Sequence, residues 1–179
     1  MNIKTANHRI MIEVKIKDAT LSQAATEGMD AFLKVFTDSI SHAIGEQLTA
    51  DNMAELNADQ ITLLAWSYLH EEVMDGGFLQ LIYNGYGAFI FRNPFGVAMR
   101  EWGLPELYHL IKKGRKLYDK YHEEIERERS DEDFMAMFEQ YPEFDELDDE
   151  FIEFEEEWTD AIAHYVDEHI SQFATIVND

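Results

Sequence analysis

The chain has 179 residues, with 37 Asp and Glu against 14 Lys and Arg, a formal net charge of −23 and no cysteine. That length suits one domain with a core large enough to need no staples, and the missing cysteines exclude disulfides, thiolate metal sites and a Cys nucleophile. Charge of this sign and size repels nucleic acid and anionic membrane, and it attracts basic protein surfaces or cations. No apolar run approaches the ~20 residues that span a bilayer, and Met1-Asn2-Ile3-Lys4 opens no apolar signal core. The expectation is a soluble, cytoplasmic protein.

Residues 9–17 place Ile10, Ile12, Val14 and Ile16 on one side at period two, the pattern of a half-buried strand. No second strand of equal clarity follows. The segment therefore reads as an edge element, as a strand paired across a dimer, or as a misread helix. Residues 19–45 carry Ala24, Phe32, Val35, Phe36, Ile40 and Ala43-Ile44 at mixed steps of three and four, and read as helical. Residues 58–74 show a clearer face of Ile61, Leu64, Ala65, Tyr68, Leu69 and Val73. Gly76-Gly77 is expected to stop that helix, and Phe78–Asn84 to form a short apolar turn closed by Gly85-Tyr86-Gly87.

Pro94 is expected to open the next helix and Gly103 to end it. Pro105 opens another, with Leu107, Ile111, Leu117, Tyr118 and Tyr121 inward and Lys112, Lys113, Arg115 and Lys116 outward. This basic run reads as a solvated helix face able to meet acids of another subunit. Ser130 reads as the N-cap of a helix over 131–140, with acids in the first turn where the helix dipole favours them, and Tyr141-Pro142 breaks it. The last helix, about 146–173, has the clearest period: Leu147, Phe151, Phe154, Trp158, Ile162 and Tyr165 step by three and four.

The charge is unevenly spread. Residues 123–179 hold twenty-two Asp and Glu against Arg127 and Arg129, which leaves −20 there and −3 in residues 1–122. Disordered acidic tracts lack aromatics, whereas this segment interleaves its acids with Phe, Trp and Tyr. A folded, rigid acidic face is the expectation. Its candidate partner-binding residues are Glu150, Glu153, Glu155, Glu156, Glu157 and Asp160, with Asp145, Asp148 and Asp149 beside them.

The stretch Glu71–Gly85 is the least generic. Glu72, Gln80 and Asn84 sit among large apolar residues around a double glycine. It reads as a helix–turn–helix corner whose glycines permit close packing, with Phe78 buried and Gln80 hydrogen-bonded to backbone. The alternative is a small ligand-binding or catalytic pocket lined by Glu72, Gln80 and Asn84, the acidic face then only solvating.

The block Glu72–Gly85, with Gly76-Gly77-Phe78-x-Gln80 and Asn84-Gly85, resembles the core motif of the bacterial DNA-mimic-protein family typified by a neisserial member. The resemblance continues around Pro94–Tyr121 and from Leu147-Asp148-Asp149-Glu150-Phe151 to Phe173, covering about 58–173. Asp75 departs from it, since the family more often carries Asn before the glycines. The resemblance implies an α-helical fold, and for at least one member acids presented in place of DNA phosphates to a basic DNA-binding protein. It also implies association, hence a homodimer. Function lives in sites rather than folds, so this role does not transfer automatically.

Metal and catalytic readings find little. His164 and His169 are five apart and do not share a helix face, His70-Glu71-Glu72 lacks a second zincin His, and an EF-hand frame from Asp145 fails at its third position and its glycine. No phosphate loop or nucleophile elbow is present. The expectation is a mainly α, single-domain helical bundle with a short N-terminal β element, without cofactor, metal or catalytic residues, and not an enzyme.

Overall fold

The computed structural model describes residues 11–178. In chain order these form β1 (Lys15–Lys17), α1 (Asp18–Glu27), α2 (Met29–Ala43), a 3₁₀ turn (Asn52–Glu55), α3 (Ala58–Tyr83), α4 (Gly87–Phe91), α5 (Phe95–Glu101), α6 (Pro105–Ile125), α7 (Asp131–Gln140), α8 (Glu143–Glu168), α9 (Ile170–Phe173) and β2 (Thr175–Val177). The class is mainly α with a short N-terminal strand, as the sequence predicts. Backbone contacts gather the described residues into two compact units, one made of those up to Leu63 with those from Val166 on, the other of Leu64–Tyr165. Helices α3 and α8 contribute turns to both. No helix of the described residues is long and apolar enough to cross a membrane.

In the first unit the alternation read in 9–17 is real but the strand is short. Val14 and Ile16 are buried, Glu13, Lys15 and Lys17 are exposed, and only Lys15–Lys17 is strand. Ile10 lies outside the described residues. The partner is the chain's own C-terminal end: β1 and β2 pair in parallel, Ile16 opposite Ile176, and the Thr175 N–H donates to the Val14 carbonyl at 2.7 Å. Of the three readings of this segment, the edge element holds. The long final helix, read from sequence as running to 173, ends at Glu168, and the short α9 occupies its last expected turn. β2 is missed because a three-residue Thr-Ile-Val run is too short to show a period.

The helical stretch 19–45 divides at Gly28, whose φ of 128° is closed to most L-residues and ends α1. Phe32, Leu33, Phe36 and Ile40 of α2 are buried, and Phe36 meets Phe173 edge-on at 6.3 Å. Asn57 and Gln60 cap the start of α3 reciprocally, the Asn57 N–H donating to Gln60 Oε1 at 3.0 Å and the Gln60 N–H to Asn57 Oδ1 at 2.8 Å. The same Gln60 amide donates to the Phe173 carbonyl at 3.0 Å, so a buried glutamine ties the helix start to α9.

In the second unit the core is aromatic. Phe78 is fully buried and touches Phe151 edge-on and Phe91 obliquely, both at 6.2 Å between ring centroids. The apolar stripe of α8 points inward as its stepping predicts: Leu147, Phe151, Trp158 and Ile162 are buried, with Phe154 and Tyr165 half-buried at its edges. Pro105 starts α6, and Leu107, Ile111 and Tyr118 are buried on it while its four central bases are exposed. Ser130 caps α7 by accepting from the Asp133 N–H at 3.1 Å.

Candidate functional site

Two places concentrate chemistry-bearing residues, and both lie in the Leu64–Tyr165 unit. The first is the double-glycine corner. It does not stop the helix. At Gly76 (φ −149°, ψ 16°) and Gly77 (φ 77°, ψ −178°) the backbone leaves the helical range, and helix resumes at once through Phe78–Tyr83. The expected apolar turn is thus a second helical segment with its own N-terminus. A restarted helix exposes unpaired N–H groups, and the first of them, on Phe78, donates to Asp148 Oδ1 of α8 at 2.8 Å.

Each glycine has a steric reason. A Cβ on Gly77 would lie 2.4 Å from Asp148 Oδ2, besides needing the left-handed φ. A Cβ on Gly76 would lie 2.0 Å from Gln80 Oε1. The motif is therefore a seat for two side chains, the Gln80 amide and the Asp148 carboxylate. The sequence predicts a backbone partner for the Gln80 amide; instead it donates to Glu72 Oε2 at 3.1 Å and Asp75 Oδ2 at 2.8 Å, and Asn84 Nδ2 donates to the same Glu72 oxygen at 2.9 Å. Glu72, Gln80 and Asn84 do come together, and their polar groups satisfy one another. Near them burial, with the Glu72 and Glu71 carboxylates, raises the Tyr86 hydroxyl above its usual pKa.

Among the described residues Asp148 is the carboxyl group most affected by its surroundings. Burial pushes its pKa up to about 6, against the pull of the Phe78 N–H and with help from Asp145 and Asp149. Desolvation outweighs the hydrogen bond because one N–H replaces the several waters a free carboxylate would hold.

The second place is the outer face of α8, and here the nine acids proposed from sequence divide. Asp148 turns inward to the corner. Glu155 also turns inward, its Oε1 lying 2.6 Å from His70 Nε2, beside the rings of Trp66 and Phe151 that flank His70. Glu150 is half-buried and faces Lys113 at 3.4 Å. The remaining six, Asp145, Asp149, Glu153, Glu156, Glu157 and Asp160, are exposed. Among the described residues no base pairs with the first five, and Asp160 has only His164 at 3.6 Å.

Their spacing makes a stripe. At about 100° per residue, Asp145, Asp149, Glu153, Glu156 and Asp160 fall within an arc of roughly 80°, opposite the buried aromatics. At ~1.5 Å rise per residue they run along about 22 Å of helix. Exposed Ile152 interrupts the edge of the stripe.

The comparisons with known proteins bear on this arrangement. The family described as DMP19-like protein matches residues 54–169. The chain belongs to the DMP19-like family. It is 34% identical over 127 residues to the DNA mimic protein DMP19 of Neisseria meningitidis serogroup B, the shared region covering 70% of this chain and 77% of that protein. The family match takes in the double-glycine corner, α4 to α7 and all of α8. It leaves outside β1, α1, α2, α9 and β2.

Sequence reasoning misses the inward turn of Asp148 and Glu155, yet a signal exists. Each lies four residues after a buried aromatic, Phe144 or Phe151, and three before the next, Phe151 or Trp158. That places both on the flank of the apolar stripe, two turns apart, where a carboxylate is drawn into the packing.

Proposed function

We propose that this DMP19-like chain is a DNA mimic that presents the α8 carboxylates to a basic, DNA-binding protein. The observation that carries this reading is the exposed acidic stripe, which meets no Lys or Arg among the described residues, on a well-packed helix. With Glu146 and Glu157 on the adjoining flank, seven carboxylates occupy residues 145–160, about one per 3–4 Å of axis, close to the ~3.4 Å per charge of one DNA strand. A partner groove that recognises phosphates by charge would meet a comparable density here, fixed in advance and without the entropy of ordering a disordered tail. Membership of the family supports the same reading.

In this reading the protein is not an enzyme and works in the cytoplasm as a homodimer. The case for a dimer no longer includes an unpaired β1, which takes β2 as partner; sedimentation at micromolar concentration tests it, and a monomer removes it. The alternative use of the Glu72–Asn84 corner as a ligand pocket is disfavoured because its polar groups are already engaged with one another.

The experiment is affinity capture from lysate at low and high salt, followed by competition of each captured DNA-binding protein with duplex DNA. Mimicry expects capture that falls steeply with salt and is displaced by DNA. A partner that holds DNA and this chain at once overturns the proposal.

A further inference from the structure

The bases of α6 have no part in the acidic stripe, and they surround a cavity. Between the α4–α5 turn at Asn93 and one side of α6 lies a space of about 320 Å³. Gly96 shapes it. A Cβ there would stand 3.1 Å from Ile111 Cγ2, so glycine lets α5 approach α6 closely beside the opening. Phe91 and Ile111 supply a buried apolar floor, and Val97, 39% exposed, forms the lip.

The rim has the opposite character. Lys112, Arg115 and Lys116 project from one face of α6 around the cavity. The carboxylate beside them, Asp119, is shared by two guanidiniums, 3.5 Å from Arg92 and 3.8 Å from Arg115. Lys112 Nζ rests 5.5 Å from the centroid of the Tyr108 ring, which Arg100 also covers at 5.0 Å. These contacts hold the Lys112 ammonium near the opening. Lys116 makes no ion pair or hydrogen bond among the described residues.

Lys112 stands three and four residues before Arg115 and Lys116, spacings at which like charges disfavour one another, while Asp119 offsets the Arg115 charge. In a chain of −23 nothing in the overall charge calls for bases gathered there, and an anion seated among them would relieve the repulsion. Size and field limit which anion. The volume is at the low end for small-ligand sites, enough for one ring system and one head group. A polyanion would meet the negative field of the whole chain over a Debye length of about 10 Å, whereas a small anion carries little charge into it. An arginine fork beside two ammoniums suits the several oxygens of a phosphate.

We infer that this cavity binds a small phosphomonoester bearing a flat ring, of nucleoside monophosphate size. The ring lies over Phe91, Ile111 and Val97, and the phosphate sits between Lys112, Arg115 and Lys116. The site shares no residue with the acidic stripe and does not rest on mimicry.

The test is titration of the full chain with adenosine 5′-monophosphate by calorimetry and by NMR of the Val97 methyls. Adenosine alone and inorganic phosphate alone are titrated in parallel. The expected result is saturable binding of the monophosphate, tighter than either fragment. Lys112→Gln with Lys116→Gln should weaken it by about tenfold or more, as the loss of two charged contacts does. Lys34→Gln, which removes the same type of charge from α2, should leave it unchanged. Val97→Trp, a change at an exposed lip, should block it with the helical circular dichroism intact. Three results overturn the inference: no saturable binding, phosphate alone binding as well as the nucleotide, or equal loss in Lys34→Gln and the α6 variants. The last two would reduce the site to an unspecific attraction of anions.

Discussion

Replacing Asp148 by Asn separates two contributions of one carboxyl group. The Asn side-chain oxygen still accepts from the Phe78 N–H that Asp148 Oδ1 meets at 2.8 Å, while the charge disappears. Burial raises the Asp148 pKa from 3.8 to about 6. A folded pKa above the unfolded one means that the native state binds the proton more tightly. The associated stability is therefore full below the unfolded pKa and is lost as pH rises through the folded one. Two pKa units correspond to about 3 kcal/mol at the alkaline limit, an upper bound because the carboxylate is partly in contact with water. Most of the accessible change falls between about pH 5 and about pH 8, where linkage gives roughly 1–1.5 kcal/mol before that discount. The acid limit stays above the sequence pI of 4.4 to keep the chain in solution.

Urea unfolding followed by circular dichroism, on wild type and Asp148→Asn in parallel, reads this directly. Taking the difference cancels the other carboxylates, whose titration is common to both. The stability of Asp148→Asn relative to wild type should climb by about 1 kcal/mol across that range. Asp148→Ala should instead be destabilised at every pH, by about 1–3 kcal/mol, because the N–H of the restarted helix is left unpaired. A relative stability of Asp148→Asn that stays flat, or falls as pH rises, would refute the argument. It would mean that the N–H and the helix terminus hold the carboxylate charged despite burial.

Gly77→Ala combines a left-handed φ with a Cβ 2.4 Å from Asp148 Oδ2 and should lose about 2–4 kcal/mol by thermal or urea unfolding; in an Asp148→Ala background the loss should shrink, as coupled neighbours do. Phe78→Ala empties a fully buried site between Phe91 and Phe151 and should cost ~3–5 kcal/mol, so a loss below ~1 kcal/mol would contradict its packing. The triple change Glu153→Gln, Glu156→Gln and Asp160→Asn should weaken a DNA-competed partner and flatten its salt dependence, while stability holds or rises slightly as self-repulsion eases.

The fold is legible in the sequence wherever a helix is long and one-sided. Leu147, Phe151, Trp158 and Ile162 announce the buried face of α8 because each step of three or four keeps the same side, and the inner face of α6 is legible for the same reason. Legibility ends where one short piece depends on a remote one. β1 and β2 are three residues each and are separated by most of the chain, so neither predicts the other. The double glycine shows the same limit. Local propensity says stop, and the helix would stop if Phe78 kept an unpaired N–H in the packed interior. Asp148, seventy residues away, supplies the acceptor and lets helix resume. The α6 bases read as solvated face, and their gathering around a cavity follows only from the close approach of α5 at Gly96.

Acidic residues of one helix thus meet different fates that angle decides. Asp148 and Glu155 lie on the flank of the apolar stripe and are spent on the Phe78 N–H and on His70. Glu150 is partly neutralised by Lys113. Asp145, Asp149, Glu153, Glu156 and Asp160 lie across from the core with no packing to serve. A charge count of −20 for the final segment therefore overstates what a partner meets on α8, and it also conceals the order in what remains. Solubility alone asks only for charge somewhere on the surface, and scattered acids would supply it. Five carboxylates aligned along one ridge of a helix whose opposite side is locked by Phe151 and Trp158 make a fixed linear array. That alignment, rather than the net charge, is what a phosphate-reading groove would recognise.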